Sequence, residues 1–154
     1  MSRSLMAKSN KEFEIIAELI CELTRKCNIK EEFIAASFNL SPSEVRFLKL
    51  FAFEKSYSVR EMRDKLNLTG GRISHIIQSL EAKKLVARIP DAHDKRNVHV
   101  KLLPKAQPLI QNLHQNYQRL HEDILKNIKG VEIEDIHASL SVLVDVFTDW
   151  IEKK

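Results

Sequence analysis

Residues 58–88 read "SVREMRDKLNLTGGRISHIIQSLEAKKLVAR". The first four, Ser58 to Glu61, have the spacing of a capping box, a serine with a glutamate three positions on. They open a short helix with Val59, Met62 and Leu66 on its inner side. "NLTGG" makes a turn, and Thr69 is placed to cap a second helix. There Ile73, Ile76, Ile77 and Leu80 form a narrow apolar stripe. Two short helices joined by a tight turn, the second amphipathic, make a helix-turn-helix.

Outward from this unit, "LVARI" and "NVHVKL" read as strands. In the second, Val98, Val100 and Leu102 alternate with Asn97, His99 and Lys101. Their connection carries Asp94, Lys95 and Arg96 at its tip. A helix-turn-helix followed by a two-stranded hairpin is a winged helix. On the other side, "SPSE" offers Ser41 as cap, Pro42 at the first helical position and Glu44 to close a capping box. Val45, Leu48 and Phe51 follow at helical spacing, with Leu50 and Phe53 adding apolar bulk.

The flanks are helical. A first helix is expected from near Asn10, with Phe13, Ile16, Leu19, Ile20 and Leu23 on one stripe, a break near Asn28 and a resumption as "KEEFIAASF". Leu109, Leu113, Tyr117, Leu120, Ile124 and Ile128 mark a penultimate helix, which Pro108 would kink or delay and Gly130 would stop. Ile133, Ile136, Leu140, Leu143, Phe147 and Trp150 mark the last one. Such stripes exceed what a small winged helix can cover, so these helices are expected to dimerise the chain. The expected fold is mainly α: a winged helix-turn-helix over 40–103, flanked by long dimerisation helices in 1–39 and 104–154.

The chain has 154 residues, 44% of them apolar and 30% charged, as in a soluble globular protein. No apolar run approaches the roughly 18 residues that span a membrane. The opening "MSRSLMAKSNKEFEII" lacks an apolar signal core, so a cytoplasmic location is expected. Residues 54–107 hold twelve Lys and Arg against six Asp and Glu, while the rest of the chain is slightly acidic. A basic middle third between near-neutral flanks fits a polyanion-binding module.

"LSPSEVRFLKLF", "SVREMRDKLNLTGGRISHIIQSLEAKKLVAR" and "DAHDKRNVHVKLL" occur in the order and spacing of the MarR family of transcriptional regulators, and the chain resembles that family. The motif match covers roughly residues 40–106, and the flanking helices agree in layout only. The most specific piece is the Asp-x-Arg of the wing, Asp94 and Arg96. The family usually has glycine where Lys84 stands, threonine at Leu103 and glycine at Ala106. The helix ending near Lys84 is therefore expected to lack a left-handed cap. The resemblance implies a sequence-specific regulator of transcription, most simply a repressor, that binds double-stranded DNA as a homodimer on an inverted repeat. It also implies release by a small anionic or phenolic ligand, and no cofactor.

Geometry points to the residues that would touch DNA. At 100° per residue, the isoleucine stripe faces inward and Gly71, His75 and Gln78 point away, with Arg72 and Ser74 beside them. Glutamine pairs with adenine, arginine with guanine, and serine with either. Gly70 and Gly71 suit a close approach of backbone to phosphate or, equally, a simple tight turn. Ser58, Arg60, Thr69 and Arg88 are candidates for phosphate contacts. In the wing, the resemblance implies that Arg96 enters the minor groove and that Asp94 orients it, by a charge-assisted hydrogen bond to the guanidinium. Lys95 adds a phosphate contact.

Other readings stay open. The chain shows no nucleophile elbow, phosphate loop or paired catalytic motif, so an enzyme is not expected. A redox- or metal-responsive regulator of the same fold would use Cys21, Cys27 or some of the six histidines. No metal-ligand spacing is legible, and Cys21 lies about one turn from the sensing position of some relatives. A winged-helix module for protein or RNA would need no wing Asp-x-Arg.

Overall fold

The computed structural model describes residues 3–154, and side chains from residue 9 onward. In chain order the elements are α1 (Arg3–Ser37), α2 (Pro42–Lys49), β1 (Ser56–Ser58), α3 (Val59–Leu66), α4 (Gly70–Ala82), β2 (Val86–Pro90), β3 (Val98–Leu102), α5 (Ala106–Leu125) and α6 (Ile133–Glu152). The fold is mainly helical with one small antiparallel sheet, as expected of a winged helix-turn-helix. The chain divides into two compact units, one reaching to His114 and one running from Gln115 to Lys154.

Both capping boxes form. Ser41 Oγ accepts from the Glu44 N–H at 3.2 Å while Glu44 Oε2 accepts from the Ser41 N–H at 2.8 Å. Ser58 and Glu61 repeat the exchange at 3.1 and 2.7 Å. Thr69 caps α4 by accepting from the Arg72 N–H. These bonds satisfy N–H groups that have no partner inside a helix, and so fix where each helix begins. Val45, Leu48, Met62, Ile73, Ile77, Leu80 and Val100 lie fully buried.

The wing sheet has three strands in the order β1-β3-β2 rather than the two expected. β1 pairs with β3, Tyr57 opposite Val100. Three residues are too few to show alternation, so this strand left no periodic trace in the sequence. Tyr57 is buried. Its hydroxyl donates to the Leu50 carbonyl at 2.7 Å, and its ring stands edge-on to Phe51 at 5.4 Å. Phe53, expected to add apolar bulk, is 84% exposed, whereas Phe47 is fully buried. α2 stops at Lys49, and a 3-10 turn over Leu50–Ala52 changes the period beyond it.

The helix ends depart further from expectation. α1 starts at Arg3 and passes Asn28 without a break. Asparagine is only a mild helix breaker, and neither Gly nor Pro lies nearby to reinforce it. Pro108 is the third residue of α5, in the first turn, where its missing N–H has no helical acceptor to lose. α5 ends at Leu125, and Gly130, with φ +81°, lies in the connection to α6 rather than at the stop. Lys84 itself takes the left-handed conformation at φ 59°. Its N–H bonds to the Glu81 carbonyl and that of Leu85 to the Leu80 carbonyl, the two bonds of a Schellman motif. Burial of Leu80 and Leu85 holds the motif closed without glycine.

The left-handed region costs a non-glycine residue about 1–2 kcal/mol. The extra freedom of glycine in the unfolded chain returns part of that. Lys84→Gly should therefore stabilise the protein by about 0.5–1 kcal/mol and raise its melting temperature by roughly 1–4 °C. A lowered midpoint in a thermal melt would contradict this account of the α4 terminus.

Candidate nucleic-acid interface

α4 is held by its buried stripe, so its opposite side is fixed. Gly70, Gly71, Arg72, Ser74, His75 and Gln78 are all exposed. The helix stands as a ridge between two clefts. Gly70 and Ser74 line one of about 740 Å³, together with Ser58, Arg60, Arg88, Asp94 and Arg96. Gly71, Arg72 and His75 line the other, of about 780 Å³. Gln78, Thr69 and Lys95 lie outside both; Gln78 and Lys95 are exposed, on α4 and at the wing tip. Seven residues from four separate sequence segments thus meet around one basic cleft.

The glycines have a clear reading in this setting. A Cβ built on Gly70 or Gly71 meets nothing within 4 Å, and neither has positive φ. They are the first two residues of α4, so the fold requires neither of them as a turn glycine. Their N–H groups precede the capped one and point from an exposed helix N-terminus, where an anion is favoured.

The wing tip is shaped by its two aspartates. Asp91 Oδ1 accepts from the His93 N–H at 2.8 Å, and Asp94 Oδ1 accepts from the Arg96 N–H at 2.9 Å. Each side chain bonds to backbone two residues on, as short acidic residues do in turns. Backbone bonds Asp91 N–H to Asn97 carbonyl and Asn97 N–H to Asp94 carbonyl close the tip. Asp94 therefore holds the backbone of Arg96 and not, as expected, its guanidinium. At the wing root His99 Nε2 lies 3.4 Å from Asp91 Oδ2. The N–H of His93 first, and the nearby His99, hold the Asp91 carboxyl below the usual carboxylate range.

The phosphate candidates differ in their surroundings. Ser58 is only 7% exposed and Thr69 is exposed; both hydroxyl oxygens act as helix caps. Arg60 is exposed. Arg88 projects from β2 opposite Val100, on the sheet face turned toward α4. There it pairs with Glu81 at 3.2 Å.

Residues 38–97 match the model of the MarR family. The multiple antibiotic resistance protein MarR of Salmonella typhimurium is 28% identical over 85 residues, 54% of this chain and 59% of that protein. MarR of Escherichia coli K12 is 31% identical over 74 residues, 47% of this chain and 51% of that protein. The chain thus spans between half and three fifths of the curated MarR proteins it matches. Among solved structures, a MarR family transcription regulator superposes with a TM-score of 0.83 at 15% identity, over 97% of this chain and 99% of the other. A crystal structure of Streptococcus pneumoniae FabT in complex with DNA superposes with a TM-score of 0.75 at 19% identity, over 92% and 99%. At these identities the likeness is one of fold.

Within this winged-helix lobe, several residues of the site are not among those expected from the sequence. Arg63 and Asn97 line the basic cleft. Arg63 stands three residues after Arg60 on α3 and so shares its face, a signal that was available. The internal ties of α4 were not legible. Glu44, besides closing its capping box, accepts from Ser79 Oγ at 2.6 Å and from Lys83 Nζ at 2.8 Å. It is 3% exposed and bolts α4 to the start of α2. Cys21 is exposed, Cys27 is half-buried, and both thiols are free. Among the described residues no group of three or more His, Cys, Asp or Glu is placed to hold a metal ion. Among them, too, no helix is long and apolar enough to cross a membrane.

The Glu44 bolt carries a pH dependence. Burial pushes its pKa up, but bonds from Lys83, Ser79 and the Ser41 N–H outweigh burial and leave it lowered. A lowered folded-state pKa contributes stability that is present above the unfolded value of about 4.3 and is lost as pH falls through the folded one. Melting midpoints should thus fall more steeply below about pH 4.5 in the wild type than in Glu44→Gln, which cannot titrate. Equal slopes would show that the carboxylate does not anchor α4.

Proposed function

We propose that this chain is a transcriptional regulator that binds double-stranded DNA, with α4 in the major groove and the wing in the adjacent minor groove. The observation that carries this reading is the convergence of Arg60, Arg63, Arg88 and Arg96 on one cleft beside an exposed helix face of His75, Gln78, Arg72 and Ser74. Cations there meet phosphate, and side chains suited to base edges stand on the ridge. The solved MarR-family folds that superpose on it include an E. coli MarR mutant complexed with operator DNA, at a TM-score of 0.72 and 22% identity. Repression, with release by a small anionic or phenolic molecule, is the regulatory mode implied by the family resemblance.

The same proposal makes the chain a homodimer on an inverted repeat. α1 leaves Phe13, Ile16, Leu19, Leu23 and Phe33 exposed. α6 leaves Leu140, Val142, Val144, Val146, Phe147 and Trp150 exposed and has no buried residue. At 100° per residue the apolar side chains of α6 cover an arc of roughly 200°, wider than one packing groove fills. Apolar surface of this extent marks an interface, and a second copy of the chain supplies a matching one. Two recognition helices then address half-sites about 10 bp apart, centre to centre.

Light scattering at micromolar concentration should give a dimer, and Leu140→Glu should yield monomer or unfolded chain. A wild type that is monomeric would contradict the assembly. For DNA, the duplex that the protein selects from a random pool should bind with an affinity that falls steeply with salt, by about 0.9 in log–log slope per neutralised phosphate. Arg96→Ala should weaken binding across many sequences, most at A·T-rich flanks. Asp94→Ala should weaken it too, because the Arg96 turn loses its hydrogen bond. Asp94→Asn, which keeps the acceptor and removes a negative charge, should bind at least as well as wild type. Tighter binding by Asp94→Ala would show that the turn geometry is immaterial.

A further inference from the structure

Sequence reading gave Glu81 no role, yet it grips Arg88 twice. Its Oε1 accepts from the Arg88 backbone N–H at 3.3 Å, and its Oε2 lies 3.2 Å from the guanidinium Nη1. The other terminal nitrogen, Nη2, donates to the carbonyl of Ser74 at 3.5 Å. Both acceptors belong to α4, about two turns apart on the same helix, and Arg88 comes from β2. The guanidinium is therefore laid along the recognition helix, in the wall of the cleft that Arg60, Arg63 and Arg96 also line. The Arg88 side chain remains 40% exposed.

We propose that Glu81 is a positioning residue, which holds the Arg88 guanidinium in place for a DNA phosphate entering the cleft between α3 and the wing. The proposal rests on the DNA-binding reading above. A guanidinium has five N–H donors in a rigid fork, and the grip leaves donors free on the open side of the cleft. A long arginine side chain ordinarily loses its rotamer freedom when it meets phosphate. Here that freedom is already restricted in the free protein, which favours binding. The rival role is that of a competitor: a carboxylate beside the cleft would repel phosphate and occupy the arginine. The bond to the Arg88 backbone N–H favours positioning, because it fixes the strand as well as the charge.

The two roles predict opposite signs. Glu81→Gln keeps one acceptor oxygen and loses the second along with the charge, whereas Glu81→Ala abolishes the grip. As positioning residue, Glu81→Ala weakens binding to the selected duplex by roughly three- to tenfold, the scale of one hydrogen bond. Glu81→Gln, with one acceptor left and no negative charge beside the cleft, binds more tightly than Glu81→Ala. In an Arg88→Ala background, Glu81→Ala has no further effect, and the salt slope of Arg88→Ala is lower by about one per subunit. Melting midpoints of each variant separate these effects from loss of fold. Glu81→Ala binding as tightly as wild type, or more tightly, would overturn the inference alone and make Glu81 a competitor. So would a loss that persists without Arg88. A folded wild type that selects no duplex would overturn the DNA-binding reading, and the inference with it.

Discussion

Burial of Ile73, Ile76, Ile77 and Leu80 is the constraint from which the rest follows. Each such side chain contributes roughly 1.5–3 kcal/mol when taken out of water, so the four together supply about 6–12 kcal/mol. That is on the order of the whole stability of a domain. Rotating α4 by one residue, 100°, would expose part of the stripe and bury His75 or Gln78 without a partner, adding about 1–3 kcal/mol. The helix therefore has one orientation. Its outward face is settled by the apolar residues rather than by the polar ones that use it.

Around that helix the remaining elements act as fixings. The Thr69 cap sets the start of α4, the Schellman motif at Lys84 sets its end, and Glu44 ties Ser79 and Lys83 to the start of α2. On the other flank Glu81 and the Ser74 carbonyl hold Arg88 and with it β2. These are polar contacts between α4 and its neighbours. They place the wing and α3 at defined positions beside the exposed face, which lets seven candidate residues from separate segments meet around one cleft.

What could be read from the sequence was what depends on local pattern. The two capping boxes, the isoleucine stripe and the alternation of Val98, Val100 and Leu102 are each complete within a few residues, and all of them formed. Features decided by tertiary context were missed or misjudged. β1 is too short to show a period and exists because β3 offers an edge. Lys84 adopts a conformation its side chain disfavours because Leu80 and Leu85 are buried together. The roles of Glu44 and Glu81 depend on partners 35 to 39 residues away or across a helix–strand turn. Asp94 was assigned to the correct turn but the wrong partner: a side chain two residues from an N–H is already positioned to accept from it, whereas reaching a flexible guanidinium is a further demand.

The central claim is that the polar face of α4, the start of α3 and the wing form one DNA-binding surface. Amide chemical-shift mapping on the isotopically labelled protein, titrated with its selected duplex, tests it most directly. The account predicts that the largest changes fall at Gly70, Gly71, Arg72, Ser74, His75 and Gln78, at Arg60 and Arg63, and at Asp94 to Asn97, while Ile133 to Glu152 in α6 change little. Changes concentrated on α6 or the exposed face of α1, with α4 silent, would contradict it.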